Sequence, residues 1–131
     1  MNLNMRPKLM GILLVSLATG LIFALGDRSQ VIESFINYPN PFDSRKEETI
    51  ITYRLPQDYP VRLKIFDLFG YPVKEFYFTA GEMGGRSGVN TIRWDGTNGN
   101  GDKVSKGGYV CQVLVEANQP VQGIRKIGVI H

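Results

Sequence analysis

The run WDGTNGNGDKVSKGGYV, residues 94–110, gathers Asp95, Asn98, Asn100 and Asp102, whose side-chain oxygens are the hard donors a calcium ion accepts. An EF-hand loop would also need a glutamate at its twelfth position and helices on both sides, and the run has neither. Between apolar stretches, Asn, Asp and Gly make turns, because they tolerate left-handed backbone and bond their own amides. The run is read as a turn, with weak calcium binding at 95–102 as the alternative and no other metal or cofactor expected. Phosphate cradling has less support. AGEMGGRSG (80–88) and the 97–108 stretch are glycine-rich, but neither carries Gly-Lys-Ser/Thr at Walker spacing or GxGxxG between strand and helix. Nucleophilic catalysis lacks parts: Cys111 and His131 are the only cysteine and the only histidine, so no triad or zinc set can form. Cys111, in YVCQVLV, reads as filler on a strand's inner face. Glu47 and Glu48 are neighbours ahead of a strand and would face opposite ways. No enzyme activity is expected.

The elements that must carry these residues are strands. In 131 residues, 15 glycines and 7 prolines fall between apolar runs, the pattern of short strands joined by turns. TIITYRL (49–55) alternates, with Ile51, Tyr53 and Leu55 on one face. VRLKIFDLF (61–69) sets Val61, Leu63 and Ile65 inward. TIRW (91–94) does so with Ile92 and Trp94, and GYVCQVLVEA (108–117) with Tyr109, Cys111, Val113 and Val115. YPVKEFYF (71–78) and the less regular IRKIGVI (124–130) complete the set. No stretch after residue 26 offers ten residues at helical spacing. The expectation is an all-β antiparallel sandwich of about seven strands. Trp94 should anchor the core and give its N–H to a carbonyl in the following loop. Pro39 and Pro41 should hold NYPNPF extended, with Phe42 plugging one end of the core.

The N-terminus reads separately. Arg6 and Lys8 precede the apolar stretch 9–25, and Ala24-Leu25-Gly26 supplies small residues before Asp27. Residues 1–26 are expected to be a signal peptide helix cleaved before Asp27, the alternative being an uncleaved anchor. Either way the remainder is expected to be exported by Sec, to be secreted, at the cell surface or on the periplasmic side, and to touch membrane only through that segment. Residues 27–36 are read as a lead-in and 37–131 as the sandwich. Without Arg6 and Lys8, the 15 basic residues fall to 13 against 12 acidic ones, a net of +1. So near-neutral a domain has no electrostatic footprint for nucleic acid.

The order of NYPNPF, TIITYRLP, VRLKIFDLFGYPV, WDGTNGNGDKVSKGGY and RKIGVI resembles the immunoglobulin-like domain of the flagellar hook-capping protein. It also resembles the related C-terminal sorting domains of type IX (Por) secretion substrates. The resemblance runs from about residue 35 to 131. It is carried by Tyr38, Pro39, Asn40, Pro41, Phe42, Asp67, Gly70, Trp94, Asp95, Gly96, Gly107 and Tyr109, all of them structural. It implies an immunoglobulin-like sandwich without catalysis. It further implies that Arg125, Lys126, Ile127, Gly128, Val129 and Ile130 form the tail a translocation machinery reads. The sequence departs from the pattern at Cys111, where an aromatic is usual, at Gly108, where a small aliphatic is usual, and at His131, which replaces the usual basic or polar end. Little chain lies between the expected signal peptide and the motif, so no passenger is expected within this sequence, which leaves a stand-alone exported domain, a fragment of a longer gene, or a subunit that assembles with partners. The function expected is an exported sorting or anchoring module with a protein translocation or assembly partner. The alternative is a structural subunit or assembly scaffold, self-associating or hook-cap-like, acting through strand edges, so that a homo-oligomer is possible.

Overall fold

The computed structural model describes residues 32–131; the expected signal peptide, 1–26, lies outside them. Seven strands follow in order: β1 (Glu33–Tyr38), β2 (Thr49–Leu55), β3 (Val61–Asp67), β4 (Pro72–Phe78), β5 (Gly88–Trp94), β6 (Gly107–Val115) and β7 (Val121–Val129). They form a three-stranded sheet, β1-β2-β5, and a four-stranded sheet, β4-β3-β6-β7, with every neighbouring pair antiparallel. The fold is the expected immunoglobulin-like β-sandwich. Alternation places Ile51, Tyr53, Leu55, Val61, Leu63, Ile65, Ile92, Trp94, Cys111, Val113 and Val115 in one core between the sheets.

β3 and β6 end two residues short of the runs read for them, β4 starts one residue later, and three strands differ further, each for a local reason. β1 begins at Glu33, inside the stretch set apart as a lead-in, and pairs with β2 as far as Tyr38↔Ile50. Its pattern hides because Phe35 is buried while Ile36 and Tyr38 are exposed, and a bulge with Ser34 at φ 54° breaks its phase. β5 starts at Gly88 rather than Thr91, a start the apolar pattern hides because the inward position Asn90 is polar. β7 starts at Val121, with Gly123 and Arg125 at the inward-facing positions ahead of Ile127 and Val129. In place of a stiff extended segment, residues 39–41 bend, with cis peptide bonds at Tyr38–Pro39 and Asn40–Pro41.

Candidate recognition site

Antiparallel pairing collects the motif residues at one end of the sandwich. The cross-strand pairs Thr49↔Trp94, Asp67↔Tyr109, Tyr109↔Ile127 and Gly107↔Val129 all lie there. Trp94 is the centre. It is fully buried, meets Phe42 and Tyr109 edge-on with ring centroids 5.7 and 5.8 Å away, and donates its indole N–H to Thr97 O at 2.9 Å. Phe42 plugs the core as expected, and the Tyr109 hydroxyl donates to Ser105 O at 2.5 Å.

The opening run is a turn built by its own side chains. Asn98 Oδ1 accepts from the N–H groups of Asn100 and Asp102, both at 3.0 Å. Asp95 Oδ1 accepts from the N–H and hydroxyl of Thr97, at 3.1 and 2.6 Å. Asn98 N–H bonds Asp102 O, and Val104 N–H bonds Gly96 O, both at 2.8 Å. Gly96, at φ +80°, leaves room for Ser44: a methyl there would fall 2.6 Å from Ser44 Cβ. Lys103 Nζ then ties the turn to the neighbouring segment, donating to Ser44 O at 2.8 Å and Asp95 O at 2.6 Å. Asp67 and Gly70 shape the β3–β4 turn at the same end. Asp67 Oδ1 accepts from the N–H of Phe69 and Tyr71 at 2.9 Å, and Gly70 adopts φ +89°.

The same end joins NYPNPF to the tail. Asn40 donates from Nδ2 to Lys126 O at 2.9 Å and accepts Gly128 N–H on Oδ1 at 2.8 Å, so its amide acts as one residue of an added strand. Phe42 N–H bonds Gly128 O, and Ile130 N–H bonds Phe42 O, both at 2.9 Å and in parallel sense. Ser44 continues the line to His131 O through its N–H at 3.0 Å and its hydroxyl. Gly128 is required by approach: a methyl on it would fall 2.9 Å from Pro41 Cβ. Residues 40–44 thus cover the outer edge of β7. Asn40→Ala removes two of these bonds and is expected to cost about 1–2 kcal/mol, measured by urea denaturation.

The tail residues divide by role. Ile127 and Val129 are buried in the core. Arg125, expected to be read by a partner, faces its own protein: Nε donates to Phe35 O at 2.7 Å, Nη1 to Ile124 O at 2.8 Å, and the guanidinium sits 5.3 Å from the Phe35 ring centroid. Lys126 and Ile130 are exposed, and the Lys126 ammonium has no partner among the described residues. Sequence reasoning missed Ser44, Lys103 and Asn90. The signal for Asn90 was its polar identity at an inward strand position.

The titratable groups described at this end are held by structural hydrogen bonds or burial. The hydrogen bond from the Arg45 side chain is the chief cause that brings the Asp43 carboxyl down to about 2. The Thr97 hydroxyl, with its N–H and the Lys103 charge, holds Asp95 below its usual range. Burial pushes the Cys111 thiol up to about 12, so at neutral pH it is protonated and shielded. Among the described residues no three His, Cys, Asp or Glu side chains cluster as a metal would require.

No protein-family model and no curated protein matches the chain. Solved structures do share its fold. FlgD from Pseudomonas aeruginosa superposes with a TM-score of 0.54 at 15% identity, covering 68% of this chain and 64% of that one. PorZ, an essential bacterial surface component of the type IX secretion system of Porphyromonas gingivalis, gives 0.51 at 19% identity, covering 76% of this chain and 12% of PorZ. A β-glucuronidase from Parabacteroides merdae gives 0.50 at 15% identity, covering 76% of this chain and 13% of the enzyme. The chain therefore spans less than two thirds of each, and the likeness establishes the sandwich. One sandwich serving such different proteins shows how little fold alone says about activity.

Proposed function

We propose that this chain is an exported, non-catalytic β-sandwich module of a secretion or surface-assembly system, and that its last strand is the element a translocation partner reads. The observation that carries the proposal is the clamp of residues 40–44 on Lys126–His131, which presents the tail in one fixed conformation with Lys126 and Ile130 outward. The occurrence of this sandwich in FlgD and PorZ supports it. No cofactor enters the proposal, because the Asp95 and Asn98 oxygens of the 95–102 turn are engaged by the turn's own amides.

The structure separates the two basic residues of the tail. Arg125 joins the sheets, so replacing it disturbs folding; Lys126 does not, so replacing it tests recognition alone. With residues 27–131 fused to a reporter in a type IX-competent host, Lys126→Ala is expected to reduce surface delivery several-fold at unchanged melting temperature. Unchanged delivery with Lys126→Ala would refute the reading of the tail.

A further inference from the structure

A sandwich of this kind has four edge strands, and on three of them side chains or a neighbouring segment engage some of the outward groups. Residues 40–44 and Arg125 cover β7. On β5, the Arg86 guanidinium donates to Val89 O at 3.4 Å, and Thr91 N–H points to Met83 Sδ at 3.3 Å. On β1, Phe35 O accepts from Arg125. The remaining edge is β4. The Glu116 N–H to Pro60 O bond sets the phase of β3: its even residues bond β6 and its odd residues bond β4. Val73, Glu75 and Tyr77 of β4 therefore turn their backbone groups outward. Gly99 N–H takes Val73 O at 3.0 Å, and Glu82 Oε1 takes Thr79 N–H at 2.9 Å. Between those points the N–H and C=O groups of Glu75 and Tyr77 have no partner among the described residues. Among the described residues, no other edge keeps two consecutive outward residues open on both groups. The bulge and the proline of β4, devices that normally protect an edge, lie at Pro72–Lys74 and leave Glu75–Tyr77 uninterrupted.

We propose that β4 is a pairing edge through which two copies of this chain associate, antiparallel, about a two-fold axis at Phe76. The argument for a second copy is charge complementarity in that register. Glu75 falls opposite Tyr77 of the other copy, whose ring lies 5.4 Å from the Arg62 guanidinium. Each Glu75, already 3.5 Å from its own Arg62, thus approaches a second one. Phe76 meets Phe76, and Lys74 meets Phe78. The register centred on Glu75 instead sets two carboxylates face to face, which cross-strand pairing disfavours. Centring on Tyr77 brings Glu75 against Thr79, whose N–H is already committed to Glu82. Pairing joins two four-stranded sheets into one and leaves both tails free, since β7 is the opposite margin. It is therefore independent of the reading of the tail.

The test is sedimentation of the purified chain across concentration, combined with cysteine placement. Phe76→Cys occupies a non-hydrogen-bonded cross-strand pair with Cα atoms about 4.5 Å apart, within disulfide reach. Under mild oxidation it is expected to give a covalent dimer, while Lys74→Cys, opposite Phe78, stays monomeric on a denaturing gel. The buried Cys111 does not compete. Glu75→Pro removes an outward N–H that the monomer does not use and is expected to abolish the dimer with the far-UV spectrum intact. Should that variant not fold, Glu75→Lys, which confronts Arg62 with a like charge, is expected to weaken association about tenfold. A chain monomeric at every concentration overturns the proposal, and so does a dimer that cross-links from position 74 rather than 76 or ignores both Glu75 variants.

Discussion

Trp94→Ala is expected to lower the unfolding free energy by about 3–5 kcal/mol, the range for deleting a fully buried large aromatic. Three losses add here. The cavity opens between the sheets, where the indole is completely enclosed. Phe42 and Tyr109 lose their edge-on partner at 5.7 and 5.8 Å. Thr97 O loses its donor, at the foot of the turn that Lys103 ties to Ser44. A domain of this size holds roughly 5–15 kcal/mol in all, so the variant should be barely folded at 37 °C. Trp94 is the only tryptophan, so wild-type unfolding can be followed by its fluorescence and the variant by far-UV circular dichroism in urea. Trp94→Phe separates the contributions. It keeps most of the aromatic contact and loses the N–H bond, and should cost about 1–3 kcal/mol. An alanine variant within about 1 kcal/mol of wild type would contradict the packing described.

The second large effect is expected at Asn90. Its side chain is fully buried and makes four bonds to the preceding loop and the first residue of its own strand: Oδ1 accepts from the N–H groups of Gly84 (2.8 Å) and Arg86 (3.2 Å), and Nδ2 donates to Arg86 O (2.8 Å) and Gly88 O (3.2 Å). Gly84 O meanwhile accepts the Tyr53 hydroxyl at 2.5 Å, so the loop is fastened to the core twice. Asn90→Ala leaves these backbone groups without partners and is expected to cost about 3 kcal/mol or more. Limited proteolysis should cut first within residues 79–88. Asn90→Asp gives a sign that can be checked. Its oxygens keep the two N–H donors but confront the two carbonyls, so the folded state favours the neutral acid and raises its pKa. Above the unfolded value of about 4 the variant then loses stability as pH rises. Wild-type Asn90 cannot titrate and should show no such slope. Equal pH dependence in the two proteins would remove this account of the loop.

The sequence exposed the sandwich wherever inward positions were apolar. β2 was read with the bounds it has, and the inward faces of β3 and β6 were assigned correctly, because period-two alternation there is uninterrupted. It concealed structure where an inward position carried another residue type. Asn90 hid the start of β5, while Gly123 and Arg125 hid the start of β7. Gly123 is small because Phe35 lies over it: a methyl there would meet Phe35 Cδ1 at 2.9 Å. Trp94 was legible with its loop carbonyl, since a buried indole must place its N–H. The tail was legible as a segment but not in its roles. Only the folded chain shows that Arg125 reaches across to Phe35 while Lys126 projects outward. Asn40 is the hardest case, because its partners lie 86 and 88 residues away.

That separation has a consequence for the order in which the domain can mature. The asparagine leaves the ribosome 86 and 88 residues ahead of the groups it bonds. Until they arrive, Phe42 has no β7 beside it, the indole's end of the sandwich stays ajar, and the nascent polypeptide lacks its closing long-range pairings, which are slow to form. The β7 strand then acts as a latch, closing the sandwich once residues 40–44 have it to bond.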